Sequence, residues 1–218
     1  MKCLILLSFL ITLSAHATPY PKEWWIEIPA SEAPSWEILP QKAKAGEVIL
    51  SKRTELGVFS NFAATKFCLA EICYASVEGL WQSLKYPDPT LPHDSRHQIK
   101  WPHTRAEVEQ MVSFEAKHAG DEANLIYKEN NLTLVSYEDE FFNYTDYAEG
   151  SFFHYVLIKK AMQAKLDQNP AVKTLLEKTK GLILKPDHYV SEKSPASFHY
   201  YKILMELRDR KKSGPIKY

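Results

Sequence analysis

Glu78, Gln82 and Lys85 fall within one run, Ser76-Val-Glu-Gly-Leu-Trp-Gln-Ser-Leu-Lys85, and no proline interrupts it before Pro87. Ser76 is a favourable helix N-cap, so the spacing predicts a helix over 77–86. Steps of four and seven residues bring Gln82 and Lys85 within about 40° of Glu78 around that helix. Val77, Trp81 and Leu84 form a separate apolar stripe roughly 100° away, which can anchor the helix in a core. The neighbouring face then presents an acid, an amide and an amine together, groups suited to proton transfer and to stabilising a developing charge. The plain alternative is a solvated face with a weak ion pair.

The residues around this run narrow the choice. Phe59-Ser60-Asn61-Phe62, a short hairpin, then Ser-x-Glu-x-x-x-Gln-x-x-Lys resembles the signature of the NADAR superfamily, named for its proposed link to NAD and ADP-ribose chemistry. The similarity continues through Ala116-Lys-His-Ala-Gly120, Lys160-Ala-Met-Gln-Ala-Lys165 with Gln168-Asn-Pro170, and Leu175-Leu-Glu-Lys-Thr179. It closes with Ile203-Leu-Met-Glu-Leu-Arg208, so that it spans 48–210.

The resemblance implies cleavage of an N-glycosidic bond to a ribose-type sugar, carried out by side chains with no cofactor. Such hydrolysis passes through an oxocarbenium-like sugar and needs an anion beside C1, with proton transfer to nitrogen or from water. Glu78 matches the catalytic glutamate. At the second helical position the helix dipole favours its ionised form, which suits a charge stabiliser or base unless burial raises its pKa. A Glu78 that merely caps its own helix is the alternative. Lys52 is placed to form a Schiff base with an opened ribose, and Lys52 and Arg53 equally suit the phosphates of an ADP-ribose moiety or a plain surface pair. Ser60 and Asn61 are expected at the sugar, Asn61 bonding its hydroxyls. Phe59 and Phe62 are candidates for base stacking or for the core. Gln82 and Lys85 are expected to bind substrate beside Glu78.

The C-terminal part departs from the better-known family pattern. Gly181-Leu-Ile-Leu-Lys-Pro-Asp-His188 stands where that pattern has an acidic residue followed by a Trp-Gly-rich loop, and Gly150-Ser-Phe-Phe153 stands where it has a tryptophan. Asp187 matches the acidic position, with a turn cap as its alternative role, and His188 beside it is a candidate proton carrier. These differences resemble a branch of the superfamily marked by Pro-Asp-His. Two substrate types are implied: phosphorylated ribosylamino-pyrimidines and ADP-ribosylated guanine. Nucleic acid is expected only as a modified substrate. The rival from another class is a non-catalytic module that binds nucleotide-sugars.

These side chains need a frame. Phe67-Cys-Leu-Ala-Glu-Ile-Cys-Tyr74 reads as a two-residue hairpin turning at Ala70-Glu71. Cys68 then faces Cys73 at a non-hydrogen-bonded position, with Cα atoms about 4.5 Å apart and within disulfide reach. Free buried thiols are the alternative, and a Cys-x4-Cys pair without matching histidines is a poor metal site. Glu47–Ser51 is a short strand. Thr104 with Glu107 forms a capping-box pattern. Residues 121–150, with six Tyr and Phe, suggest helix, loop and short strand. Residues 151–167 are apolar around most of a helical circumference and read as a central buried helix. Pro170 suits the first position of the next helix, ended by Gly181, and a last helix covers 200–210. His93, His97 and His103 have no spacing that fixes a metal geometry, so no metal is expected. The fold class is α+β, a mainly helical single domain with a few short strands and a β-hairpin.

With 45% hydrophobic and 25% charged residues, the composition is that of a soluble domain. Met1-Lys2, the apolar run Cys3–Leu13 and Ala15-His-Ala17 read as a signal peptide over residues 1–17, too short to span a bilayer, with a buried amphipathic helix as the alternative. Its removal takes one basic residue and leaves a net charge of −1, which gives no global attraction to nucleic acid. The protein is therefore expected to be exported, periplasmic or secreted, without a membrane span after cleavage. An oxidising compartment favours the Cys68–Cys73 bridge. Residues 18–46, rich in proline and tryptophan, read as an extended arm packing its aromatics onto the domain at 47–212. Trp24-Trp25 could alternatively stack on a partner or sugar.

Overall fold

The computed structural model describes residues 20–145 and 149–210, so the expected signal peptide, Tyr147 and the last residues of the domain lie outside the described residues. The fold is α+β and mainly helical. Its strands are short pairs: β1 (Glu47–Ile49), β2 (Phe67–Leu69), β3 (Ile72–Tyr74), β4 (Val135–Tyr137), β5 (Glu140–Phe142) and β6 (Ile183–Lys185). The helices are α1 (Val77–Ser83), α2 (Arg105–Glu109), α3 (Ser113–Glu129), α4 (Glu149–Gln168), α5 (Pro170–Lys178) and α6 (Tyr200–Asp209).

The β2–β3 hairpin has the expected register, with Leu69 opposite Ile72 and Cys68 opposite Cys73. The two cysteines are bonded, their Cα atoms 3.9 Å apart. Ala70 occupies the turn at φ 48°, a left-handed conformation that disfavours a Cβ, so the bridge holds a turn its own sequence does not favour.

α1 ends at Ser83, three residues before the expected end at 86. The cause lies in the Pro87–Pro102 segment. Arg96, buried and paired with Asp94 at 2.6 Å, donates from Nη1 to the carbonyls of Leu84 and Lys85 at 3.0 and 3.3 Å. A buried cation thus takes up carbonyls at the C-terminal end of the helix and turns the chain away. The N-terminus is capped as expected, Gly79 N donating to Ser76 Oγ at 2.8 Å while Ser76 Oγ donates to Met111 O at 2.9 Å. A Cβ on Gly79 would lie 2.6 Å from Met111 O, so this residue must be glycine for α1 to approach the turn after α2. Across α1, the small residues Ala116, Ala119, Gly120 and Ala123 of α3 are buried, and the Gln82 side chain fills the space a Cβ on Gly120 would need.

α4 is central but not buried all round, which corrects the sequence expectation. Phe152 is 66% exposed and Val156 38%, whereas His154, Leu157, Ile158, Ala161, Met162, Lys165 and Leu166 face inward. The capping box at Thr104 and Glu107, Pro170 at the first turn of α5, and Gly181 at φ +90° all match expectation.

β1 and β6 pair in parallel, Glu47 with Ile183 and Ile49 with Lys185. The segments leaving both strands at the same end carry Lys52 and Asp187. The arm is stitched over them. Ile38 N donates to Asp187 O at 2.7 Å, and Arg53 bonds Glu37 at 2.8 Å. Trp24 is fully buried with its Nε1 bonded to Glu55 at 2.8 Å, and Trp25 Nε1 bonds Glu47 O at 2.9 Å. Trp24 is therefore a core residue rather than a stacking platform, whereas Trp36 stays 50% exposed.

Candidate active site

A cleft of about 390 Å³ is lined by Glu78 and Trp81 from α1, by Ser60, Asn61 and Phe62 from the preceding loop, and by Lys117 from α3. His154 and Ile158 of α4 and the segment from His188 to Tyr200 complete it. The loop is fixed from both sides. Glu78 N donates to Asn61 O at 3.0 Å, and Ser113 N donates to Phe62 O at 3.0 Å. Behind it, the buried Lys165 ammonium donates to Val58 O at 2.7 Å and Ser60 O at 3.0 Å. Lys165 lacks a carboxylate among its described bonds, and burial pulls its pKa down to about 7.

Glu78 is 8% exposed, and its Oε1 accepts from Gln82 Nε2 at 2.7 Å. Burial raises its pKa, and the Gln82 bond and the Lys85 and Lys117 charges oppose that rise without cancelling it. Burial thus meets the condition under which Glu78 suits an acid rather than a base. Gln82 and Lys85 do not line the cleft, which corrects their assignment to substrate. Both are buried behind Glu78, and Lys85 Nζ lies 3.4 Å from Gly120 O and 5.5 Å from the centre of the Trp81 ring. Burial lowers the Lys85 pKa to about 8, with Glu78 acting against it.

Asp187, Lys52 and His188 meet in the structure. Asp187 is 1% exposed and lines neither cleft; it receives Lys52 Nζ on Oδ2 and His188 Nδ1 lies 2.9 Å from Oδ1. Burial pushes its pKa up, but the bonds from His188 and Lys52 prevail and hold it below the usual carboxylate range. Of this group, His188 reaches the cleft and Asp187 lies behind it. Lys52 is engaged with a buried carboxylate, so an imine role requires that pair to break. Arg53 is spent on Glu37 and Glu32 O, and it ties down the arm rather than lining the cleft. Phe59, 1% exposed, is core, whereas Phe62 lines the cleft edge-on to Phe114 with ring centres 5.4 Å apart.

A second cleft, of about 630 Å³, adjoins the first through Ser60, Phe62, Lys117, His188 and Tyr189, and is walled on the far side by Trp36 of the arm and by Lys52. His97 ring Nε2 lies 3.0 and 3.1 Å from the carbonyls of Asp88 and Leu91, a structural role. No cluster of three metal-ligating side chains occurs among the described residues.

Among the cleft residues that sequence reasoning missed are Trp81, Lys117 and His154. Trp81, assigned to the anchoring stripe, is a cleft wall. Lys117 lies within the block Ala116-Lys-His-Ala-Gly120, to which no site role was given. His154 stacks on Trp81 with centres 4.0 Å apart, its Nδ1 3.0 Å from Ser197 Oγ. A lone histidine within Phe152-Phe-His-Tyr-Val-Leu157 was the available signal.

Fold and site together define an α+β domain with a buried acid opening on a cleft. No family model and no curated protein matches the sequence. Among solved structures, the NMR structure of the E. coli protein YbiA is similar, with a TM-score of 0.46 and 19% identity over 77% of this chain and 86% of that one.

Proposed function

We propose that the protein is an exported N-glycosidase that hydrolyses the bond between a ribosyl C1 and nitrogen, in an ADP-ribose adduct or a ribosylated small molecule. The observation that carries this is Glu78, a buried carboxyl on the wall of a cleft it shares with His188, its pKa raised by burial. The ordered sequence blocks resembling the NADAR superfamily supply the substrate class. Glu78 delivers its proton to the leaving nitrogen as the C1–N pair departs with that atom. The carboxylate so formed lies beside the cationic sugar and accepts a proton from the water that attacks C1, which restores the acid. His188, oriented by Asp187, steadies the proton traffic, and Lys117 at the junction of the two clefts and Lys52 on the far wall of the second suit anionic groups. The Cys68–Cys73 bridge supports export to an oxidising compartment, periplasmic or extracellular. No helix among the described residues is long and apolar enough to cross a membrane.

The test is incubation of the purified protein and its Glu78→Gln variant with a guanine-ADP-ribosylated oligonucleotide, followed by mass spectrometry. Release of ADP-ribose by the wild type alone supports the glycosidase. Intact substrate with both, alongside retained binding of ADP-ribose, favours the non-catalytic module.

A further inference from the structure

Buried polar atoms in folded proteins are nearly always bonded, and each exception calls for a cause. Three residues of the first cleft carry such exceptions: Asn61 Oδ1, His154 Nε2 and the Tyr200 hydroxyl are buried and have no partner among the described residues. Asn61 and His154 come from different elements, the loop before β2 and the first third of α4. His154 is 1% exposed, wedged between the Trp81 face and the Ser197 hydroxyl, with Phe198 6.1 Å from its ring. Burial, reinforced by the Lys85 charge, lowers its pKa to about 3, so the ring is neutral near pH 7.

Resting on the ribosyl reading above, we propose that His154 and Asn61 together bind the vicinal hydroxyls of the substrate's ribose, His154 being a specificity-determining residue for the sugar. The chemistry selects hydroxyls. Asn61 Oδ1 only accepts, so its partner must donate. His154 Nε2 donates or accepts according to how Ser197 meets Nδ1, and a hydroxyl serves either tautomer. A fully ionised phosphate cannot donate to Asn61, and an ammonium fits only the tautomer in which His154 Nε2 accepts. In the proposed complex one hydroxyl donates to Asn61 Oδ1 and its neighbour meets His154 Nε2, whose ring is stacked on Trp81. A site built to bond a hydroxyl discriminates strongly against the analogue that lacks it, because its own polar groups are then left unmet.

The test is calorimetric titration of the purified chain with ADP-ribose and with two analogues lacking the 2- or the 3-hydroxyl of the terminal ribose. The wild type is expected to bind ADP-ribose about 10-fold or more tightly than one of the analogues. His154→Phe, which keeps the stack on Trp81, is expected to bind ADP-ribose and that analogue alike. A variant that discriminates as the wild type does, or that weakens all three ligands by one factor, overturns the proposal. A second measurement needs no variant: the imidazole Nε2 nitrogen resonance of His154 is expected to shift on saturation with ADP-ribose. An unmoved resonance overturns the proposal. A wild type that binds none of the ligands brings down the ribosyl reading and this inference together, whereas turnover with undiminished discrimination by His154→Phe removes only the inference.

Discussion

The backbone amide of Glu78 donates to the carbonyl of Asn61 at 3.0 Å, so the first turn of α1 is joined to the loop that lines the cleft beside it. This bond ties the position of the acid to that of the Ser60–Phe62 loop. Whatever displaces the loop displaces the acid as well.

Glu78→Gln is expected to lower kcat by roughly 10²–10⁴ with little change in ligand affinity, since Gln keeps the shape and loses the proton. Its stability carries a second signature. The folded pKa of Glu78 is raised above 4.5, so the native state holds the proton longer than the unfolded chain and loses stability as pH rises through that window. Thermal melts at stepped pH are expected to show Glu78→Gln gaining on the wild type above about pH 4.5.

His154 works in the opposite direction. Its folded pKa of about 3 lies below the unfolded 6.5, so the unfolded chain takes up a proton that the native state refuses. Between those values the wild type is expected to lose up to about 1.4 kcal/mol per pH unit relative to His154→Phe as pH falls. Urea unfolding curves from pH 7 to pH 4 measure this, and parallel curves for the two proteins contradict it.

Lys165→Met removes the ammonium that holds Val58 O and Ser60 O. The two carbonyls lose their bonds, at a cost of about 1–3 kcal/mol, and the loop loosens, so half-saturation by ADP-ribose is expected at higher concentration. The folded pKa of about 7 against 10.5 in the unfolded chain makes the wild type's advantage grow as pH rises between those values. Chemical denaturation at pH 7 and pH 9 checks the sign.

Reduction of the Cys68–Cys73 bridge opens a short loop, and the chain-entropy model assigns such a loop about 2 kcal/mol. The denaturation midpoint is expected to fall in dithiothreitol, and Cys68→Ser/Cys73→Ser is expected to match the reduced protein. Equal midpoints with and without reductant contradict it.

Local patterns were legible in the sequence where one residue type decides the outcome: the Ser76 cap, the hairpin register that pairs Cys68 with Cys73, and Pro170 at the start of α5. The meeting of Lys52 with Asp187 was legible only as motif positions, because the parallel pairing of β1 with β6 that joins them leaves no local pattern. Gln82 and Lys85 were read as substrate contacts because helical periodicity says which residues share a face, not how deep that face lies. The packing of α3 against α1 buried them. His154 escaped for a related reason, since an apolar run around a histidine reads as core until the cleft beside it is seen.

The parallel pairing of β1 with β6 also governs the order of assembly on the ribosome. β1 and the arm that packs on it emerge well before their partners at 183–188. Closing so long a loop comes late and slowly. The cleft wall bearing His188 cannot exist on a nascent chain, and a chain cut before residue 183 leaves Val48 and Leu50 without their shelter. Termination before residue 183 therefore leaves the apolar faces of β1 exposed and the cleft unfinished.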